Sequence, residues 1–489
     1  MSAIECTARW HFFDMGFEKG FTYMKQPNTR IASIDILRGI AIMGMILCAN
    51  IGFNSGLPAW MFHAQTPPPT YAFNPDVAGL TWVDLVFPFF LFPMGAAFPL
   101  AMRKKLERGV SGWKMTGNLV KRWFILTVFA LLLGNAYAIW GTARPAWSVY
   151  VFYIAVWAGM FLTFVRVNLP EAKGWKRHMG TAVNLCGVAM LVLLAVVFTK
   201  WFGIPLDRNR SDIIIMILAN VALWGGLVWL LTKDSIRLRW LVFMLVAAFK
   251  ALDSYMPESL SWVPSCGCIG WFFTWDWLQY LLIAIPGSIV GDLVLEHARS
   301  GEKADIDTKG CIAGFTALAA VLVQLWGLYT RHVYADLAIS AALCAVFMAL
   351  TWKKRNIFTM TALTGFALML SGIALDPVDG GITKDYCNLS YLFTTGGMAT
   401  LVISFLLMLE LRFGVKGRFL SGVGQNPMLA YTVTNFLIGP VLALTGLLPL
   451  LDGLAEGSQF WGVTRGAVIT LAMMCVTYVF TRLRLFWRS

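Results

Sequence analysis

The chain of 489 residues is 58% hydrophobic and only 13% charged, with a mean hydropathy of +0.68. Soluble domains carry about 25% charged residues, so a soluble globular fold is excluded. The net charge of +13 does not point to nucleic acid, because Lys and Arg fall in short clusters between apolar runs, the pattern of loops held against an anionic cytoplasmic leaflet.

The expectation is an all-α polytopic membrane protein, a bundle of about 11–14 transmembrane helices whose solvent is the lipid bilayer. Residues 1–30 are mixed and aromatic-rich and read as an N-terminal cytoplasmic segment without the features of a signal peptide; Met24 is an alternative start. Residues 31–489 read as one transmembrane domain. Spans are expected at 35–54, 81–102, 123–141, 148–165, 181–201, 212–231, 240–256, 275–295, 310–329, 334–352, 357–375, 391–411, 425–448 and 464–483. The weakest is 240–256, which is short and carries Lys250 and Asp253; the 425–448 span is broken near Gly439-Pro440. Basic clusters fall on alternate connections, which puts both termini in the cytoplasm and segments 55–80, 254–274, 376–390 and 449–463 outside.

Within the first span, Asp35 and Arg38 are three residues apart and share a helix face. Their pairing reads either as a snorkelling pair that fixes the helix end or as an Arg facing a phosphate-bearing ligand, to which its planar fork is suited. Arg38 and Asn50 are separated by roughly 18 Å of helix. His63 follows, in Trp60-Met61-Phe62-His63-Ala64-Gln65, and the next apolar run opens with Asp84. His11, His178, His297 and His332 read as ordinary surface residues. His63 differs because it stands at a membrane edge, among Trp60, Phe62 and Pro67-Pro68-Pro69. A neutral imidazole there can take a proton from an attacking amine or hydroxyl, or carry an acyl group. Asp84 reads as a helix cap together with Thr81, as a carboxylate that orients His63, or as both.

Of the nine Cys, those in apolar runs (Cys48, Cys186, Cys311, Cys344, Cys475) read as packing residues. Cys266 and Cys268 lie in an expected outer loop and read as plain loop residues or as a disulfide or metal pair, but no further Cys or His cluster completes a metal set, and no metal is expected.

Four stretches together resemble the heparan-α-glucosaminide N-acetyltransferase family and its bacterial relatives: Ser33-Ile34-Asp35-Ile36-Leu37-Arg38-Gly39; His63-Ala64, then Gly79-Leu80-Thr81 leading into Asp84; Gly381-Ile382-Thr383-Lys384-Asp385 with Ser390-Tyr391-Leu392; and Gly424-Gln425-Asn426-Pro427. Trp275-Asp276 fits more loosely. The resemblance implies transfer of an acetyl group from cytoplasmic acetyl-CoA to a sugar on the far side, an amino sugar such as a terminal glucosamine. It implies His63 as the active-site histidine, with Asp84 and Asn50 beside it in catalysis. It further implies Arg38, Asp35, Ser33 and Asn426 on the cofactor side, and Trp60, Asp276 and Lys384 toward the acceptor. A bacterial inner-membrane location and a homodimer are the corresponding expectations. The sequence departs from the family by an insertion from Gln65 to Ala78, which bears on the acceptor pocket. An O-acyltransferase of a cell-envelope polysaccharide and a secondary sugar transporter are the alternatives; against the latter, no inverted repeat is visible.

Overall fold

The structure, a computed structural model, describes residues 31–51, 57–140, 142, 144–167, 176–256, 274–301, 304, 306–456 and 458–487. The N-terminal segment 1–30, with Met24, and the pair Cys266 and Cys268 lie outside the described residues.

Backbone polar groups in hydrocarbon must be satisfied within their own segment, so the apolar runs become helices. They are α1 (Ala32–Asn50), α2 (Trp82–Glu107), α3 (Gly112–Tyr137), α4 (Ala146–Phe164), α5 (Lys176–Trp201), α6 (Ile213–Thr232), α7 (Ile236–Tyr255), α8 (Trp275–Leu278), α9 (Leu281–Ser300), α10 (Thr308–Tyr329), α11 (Val333–Leu350), α12 (Ile357–Leu375), α13 (Leu389–Phe413), α14 (Arg418–Gly424), α15 (Pro427–Val433), α16 (Gly439–Leu444), α17 (Leu447–Ala455) and α18 (Gln459–Arg482). Among the described residues, 13 helices are long and apolar enough to cross a membrane. This is an all-α polytopic membrane protein. The β-structure described is a two-stranded antiparallel pair, β1 (Val165–Val167) with β2 (Leu485–Trp487).

The helix α7 is not among those 13, yet its 20 residues form a continuous helix, about 30 Å long and thus long enough to cross. Its charges are absorbed by neighbours. The guanidinium of Arg239, wholly buried, binds Asp292 of α9, which also accepts from the Trp229 indole at 3.1 Å, and Arg239 donates to Thr232 O at 3.2 Å. An unpaired buried guanidinium would cost several kcal/mol. Lys250 lies 3.3 Å from Asp253 one turn on.

The 425–448 span is interrupted one step earlier than the Gly439-Pro440 pair suggests. Between α15 and α16 the chain forms a π-helical turn over Thr434–Ile438. The first helix also begins before its apolar run, at Ala32. A distant carboxylate is the reason: Glu410 of α13 accepts from the Ala32 and Ser33 amides, both at 2.8 Å. A negative charge at the positive end of the helix dipole caps it from outside the local sequence.

The bundle has two ends that matter here. One gathers the start of α1, the end of α13, α14 and β2; Arg38 lies there. The other gathers the end of α1, the start of α2 and the loop between α12 and α13; His63 lies there.

Candidate active site

At the His63 end, α2 begins with Thr81 and Asp84 in a reciprocal cap. Asp84 Oδ2 accepts the Thr81 amide at 3.0 Å, which satisfies one of the orphan donors of a helix start. The Thr81 hydroxyl lies 2.8 Å from the Phe62 carbonyl and so ties α2 to the loop carrying His63. Asp84 Oδ1 then lies 2.6 Å from His63 Nδ1. The Asp84 side chain is fully buried, while that of His63 keeps 34% of its surface exposed. An ionised carboxylate only accepts, so this contact fixes the proton on Nδ1 and leaves Nε2 as the basic nitrogen.

A third group closes on the pair. Lys384 Nζ is 3.2 Å from His63 Nδ1. Since Nδ1 already donates to Asp84, Lys384 acts there as a neighbouring cation rather than a hydrogen-bond donor. Its loop is rigidly built. Asp376, 2% exposed, forms a two-pronged ion pair with Arg331 at 2.9 and 2.8 Å and accepts the Ile382 amide at 2.6 Å. The Ile382 carbonyl in turn accepts from the Gly79 amide at 2.9 Å. Gly79 holds φ at +146°, a conformation that side chains rarely adopt. Asn388 caps α13 by accepting the Tyr391 amide at 3.2 Å and donates to Gly381 O at 2.8 Å.

Proline completes the arrangement. Pro88, inside α2, has no amide hydrogen, so the Asp84 carbonyl one turn earlier loses its helical donor. The Tyr391 hydroxyl takes that place at 2.9 Å. Helix α13 is thereby locked to the residue that touches His63.

The insertion from Gln65 to Ala78 does not separate His63 from the Gly79 turn. The Gln65 side chain, 1% exposed, donates to Val77 O at 3.0 Å and the Gln65 backbone carbonyl accepts the Asn74 amide at 2.8 Å. The loop is pinched shut, and a Cβ on Gly79 would sit 3.5 Å from that of Ala64. The excursion bears Asp76, which accepts from Tyr386 at 2.7 Å; this bond to a carboxylate raises the Tyr386 phenol above its ordinary range. Beside it, burial pushes the Cys387 thiol up to about 12. Asp276, exposed on α8, lies in the electrostatic neighbourhood of Cys387 and Tyr280. Trp60 is 51% exposed on a short 3₁₀ turn, Ala59–Met61. The Asn50 side chain turns back on its own helix, donating to Ile46 O at 2.7 Å, and the Asn50 backbone carbonyl accepts from Arg465 at 2.9 Å. No hydrogen bond joins it to His63 among the described residues.

At the Arg38 end the polar groups hold protein partners. Ser33 donates its hydroxyl to Glu410 at 2.6 Å. Arg38 reaches Asp35 at 3.2 Å and the carbonyls of Gly424 and Pro93, both at 3.1 Å. Asn426, fully buried, donates to Leu485 O at 2.9 Å and accepts the Trp487 amide at 3.0 Å, so it clamps β2. Two stretches noted in the sequence meet here: a Cβ on Gly424 would lie 2.8 Å from the Gly39 amide and closer still to the Asp35 carbonyl. Only glycine permits this backbone contact between α1 and α14.

Residues to which sequence reading gave no role are Glu410, Arg122 and Tyr391, the last noted only as part of a motif. Arg122 lies in electrostatic reach of Arg38, and its buried Nε has no partner among the described residues. Its signal in sequence was only membership of a basic cluster.

The family model described as a domain of unknown function, DUF5009, matches residues 30–294. The heparan-α-glucosaminide N-acetyltransferase of Mus musculus is 25% identical over 499 residues, covering 95% of this chain and 62% of that protein. The protein of the same name from Homo sapiens is 36% identical over 107 residues, 22% of this chain and 14% of that protein. The chain thus spans less than two thirds of the length of these relatives. It belongs to the DUF5009 family and is a distant relative of heparan-α-glucosaminide N-acetyltransferase.

Proposed function

We propose that this protein is a transmembrane acetyltransferase that passes the acetyl group of acetyl-CoA to an amino sugar at the opposite face of the membrane. The observation that carries the reading is the imidazole of His63, half-open to its surroundings and fixed through Nδ1 by a buried carboxylate. In this reading His63 Nε2 receives the proton of the attacking sugar amine. The amine nitrogen bonds to the thioester carbonyl carbon, the carbon–sulfur bond breaks, and the coenzyme leaves as a thiolate that recovers the proton. Asp84 stabilises the imidazolium formed on the way, and Lys384 and Asn50 are the candidate partners for the oxyanion. A two-step route through an acetyl-His63 is balanced in the same way. Trp60 and Asp276 would face the acceptor.

The donor would enter at the Arg38 end, which this reading makes cytoplasmic. From Asp84 to Pro93, whose carbonyl Arg38 holds, is about 14 Å along α2. The pantetheine arm is long and thin, so the nucleotide can stay at the Arg38 end while the thioester approaches His63. Arg122, in electrostatic reach of Arg38 and with a buried Nε that has no partner among the described residues, is the cation at that end for a phosphate group to pair with. Ser33, Asp35 and Asn426 would shape that end rather than touch phosphate, since their polar atoms already hold protein partners. A bacterial inner membrane, both termini in the cytoplasm and a homodimeric assembly complete the proposal.

The test is purified protein with radiolabelled acetyl-CoA and a panel of glucosamine-terminated, N-acetylated and hydroxyl-only sugars. Release of free coenzyme with labelled amide is expected for the first, and its loss in His63→Ala. Undiminished turnover in that variant would remove the catalytic assignment. Labelled ester on the hydroxyl-only sugars would redirect the reading to an O-acyltransferase.

A further inference from the structure

Away from His63, the π-helical turn Thr434–Ile438 carries a second concentration of polar side chains. Tyr431 donates to Asp212 Oδ2 at 2.8 Å, while Asp212 Oδ1 caps α6 at 2.9 Å from the Ile215 amide. Asn435 donates to the Tyr137 hydroxyl at 3.1 Å, which leaves the phenol its own proton to give. Tyr153, 1% exposed, and Thr434, 3% exposed, have hydroxyls without a partner among the described residues. Rings frame these groups: Phe436 lies 5.2 Å from Tyr137 and 5.1 Å from Tyr153.

Three features separate this cluster from an ordinary interfacial aromatic belt. Asn435 is exposed within the apolar span Pro427–Leu444; an amide left facing lipid is costly, so the position favours a polar partner. The helix is locally a π-turn, a form that is rare and concentrates at functional sites. Two buried hydroxyls forgo hydrogen bonds, each a penalty that a bound ligand would remove. The free donors are phenols, the free acceptors an amide and a hydroxyl, and a carboxylate lies alongside. That set suits a ring bearing hydroxyl or ammonium groups set against aromatic faces.

We propose that Tyr137, Tyr153, Asp212, Tyr431, Thr434 and Asn435 form a second ligand site that binds a sugar of the acceptor, away from the group acetylated at His63. This rests on the acetyltransferase reading for the identity of the ligand. The substitution Tyr153→Phe removes an unpartnered hydroxyl and nothing else, so a merely structural role predicts unchanged or improved stability. With the site in use, Tyr153→Phe and Asn435→Ala each raise the KM for a glucosamine-terminated oligosaccharide about tenfold, with kcat and the KM for acetyl-CoA unchanged. A second readout does not need catalysis. The oligosaccharide should raise the thermal midpoint of the parent and of His63→Ala, and fail to raise that of Tyr153→Phe and Asn435→Ala. Equal thermal shifts in all four proteins, or none in the parent, would overturn the site. Retained turnover in His63→Ala would overturn the catalytic reading and leave the binding result standing.

Discussion

The two ends of α1 are built from similar residue types and treat them differently. At the Arg38 end every site residue named from sequence is spent on the fold: Ser33 on Glu410, Arg38 on two carbonyls, Asn426 on the last strand. At the His63 end the buried partner, Asp84, is spent on the fold, but the ring it holds is not. Such a division fits an active site, where a rigid base carries one exposed reactive group. It also says that polar residues in a membrane need not mark a ligand when backbone carbonyls are available to them.

The contrast can be broken experimentally. The largest effect is expected for Asp84→Asn, which keeps shape but offers an amide where Nδ1–H needs an acceptor. Acetyl transfer should fall by about 10²–10⁴-fold, read as coenzyme release; parent-like kcat would erase the distinction between the two ends. Next, Arg122→Gln should raise the KM for acetyl-CoA several-fold while leaving kcat and the acceptor KM in place. No change would make the Arg38 end purely structural. A smaller change is expected for Glu410→Gln. Loss of the charged cap should lower stability by about 1 kcal/mol, seen as a lower thermal midpoint in detergent, with kinetics unaltered. The smallest concerns Cys387. With its thiol pushed up to about 12, only about one molecule in 10⁴ is thiolate at pH 8. Maleimide should therefore leave it unmodified in the native protein and label it after unfolding, by mass spectrometry of the 376–388 loop peptide.

Most of the helices were legible because hydropathy alone determines what can cross a bilayer. The one that composition ranks lowest, α7, needs Asp292 and Thr232 to accept its Arg239, and those partners come from other helices. The proximity of Asp84 to His63 was also readable, since a carboxylate opening the span that follows the His63 loop stands at the same membrane edge. Lys384 was visible as a residue but not as a neighbour. It reaches His63 only because Asp376, Arg331 and Gly79 fix a loop more than 300 positions away, and no local pattern encodes that. Arg122 was hidden by company: six other cations share its connection, and only depth in the bundle tells it apart.

The pairing of β1 with β2 has a consequence for how the protein is made. Val165 lies opposite Trp487, so the first strand waits for a partner more than 300 positions further along the chain. Asn426 waits with it, its amide directed at Leu485 and Trp487. The helices can enter the bilayer one after another, but this seam closes only once the helices between its two strands have packed. Asn426→Ala, which removes the clamp, should insert normally and still leave this seam unclosed.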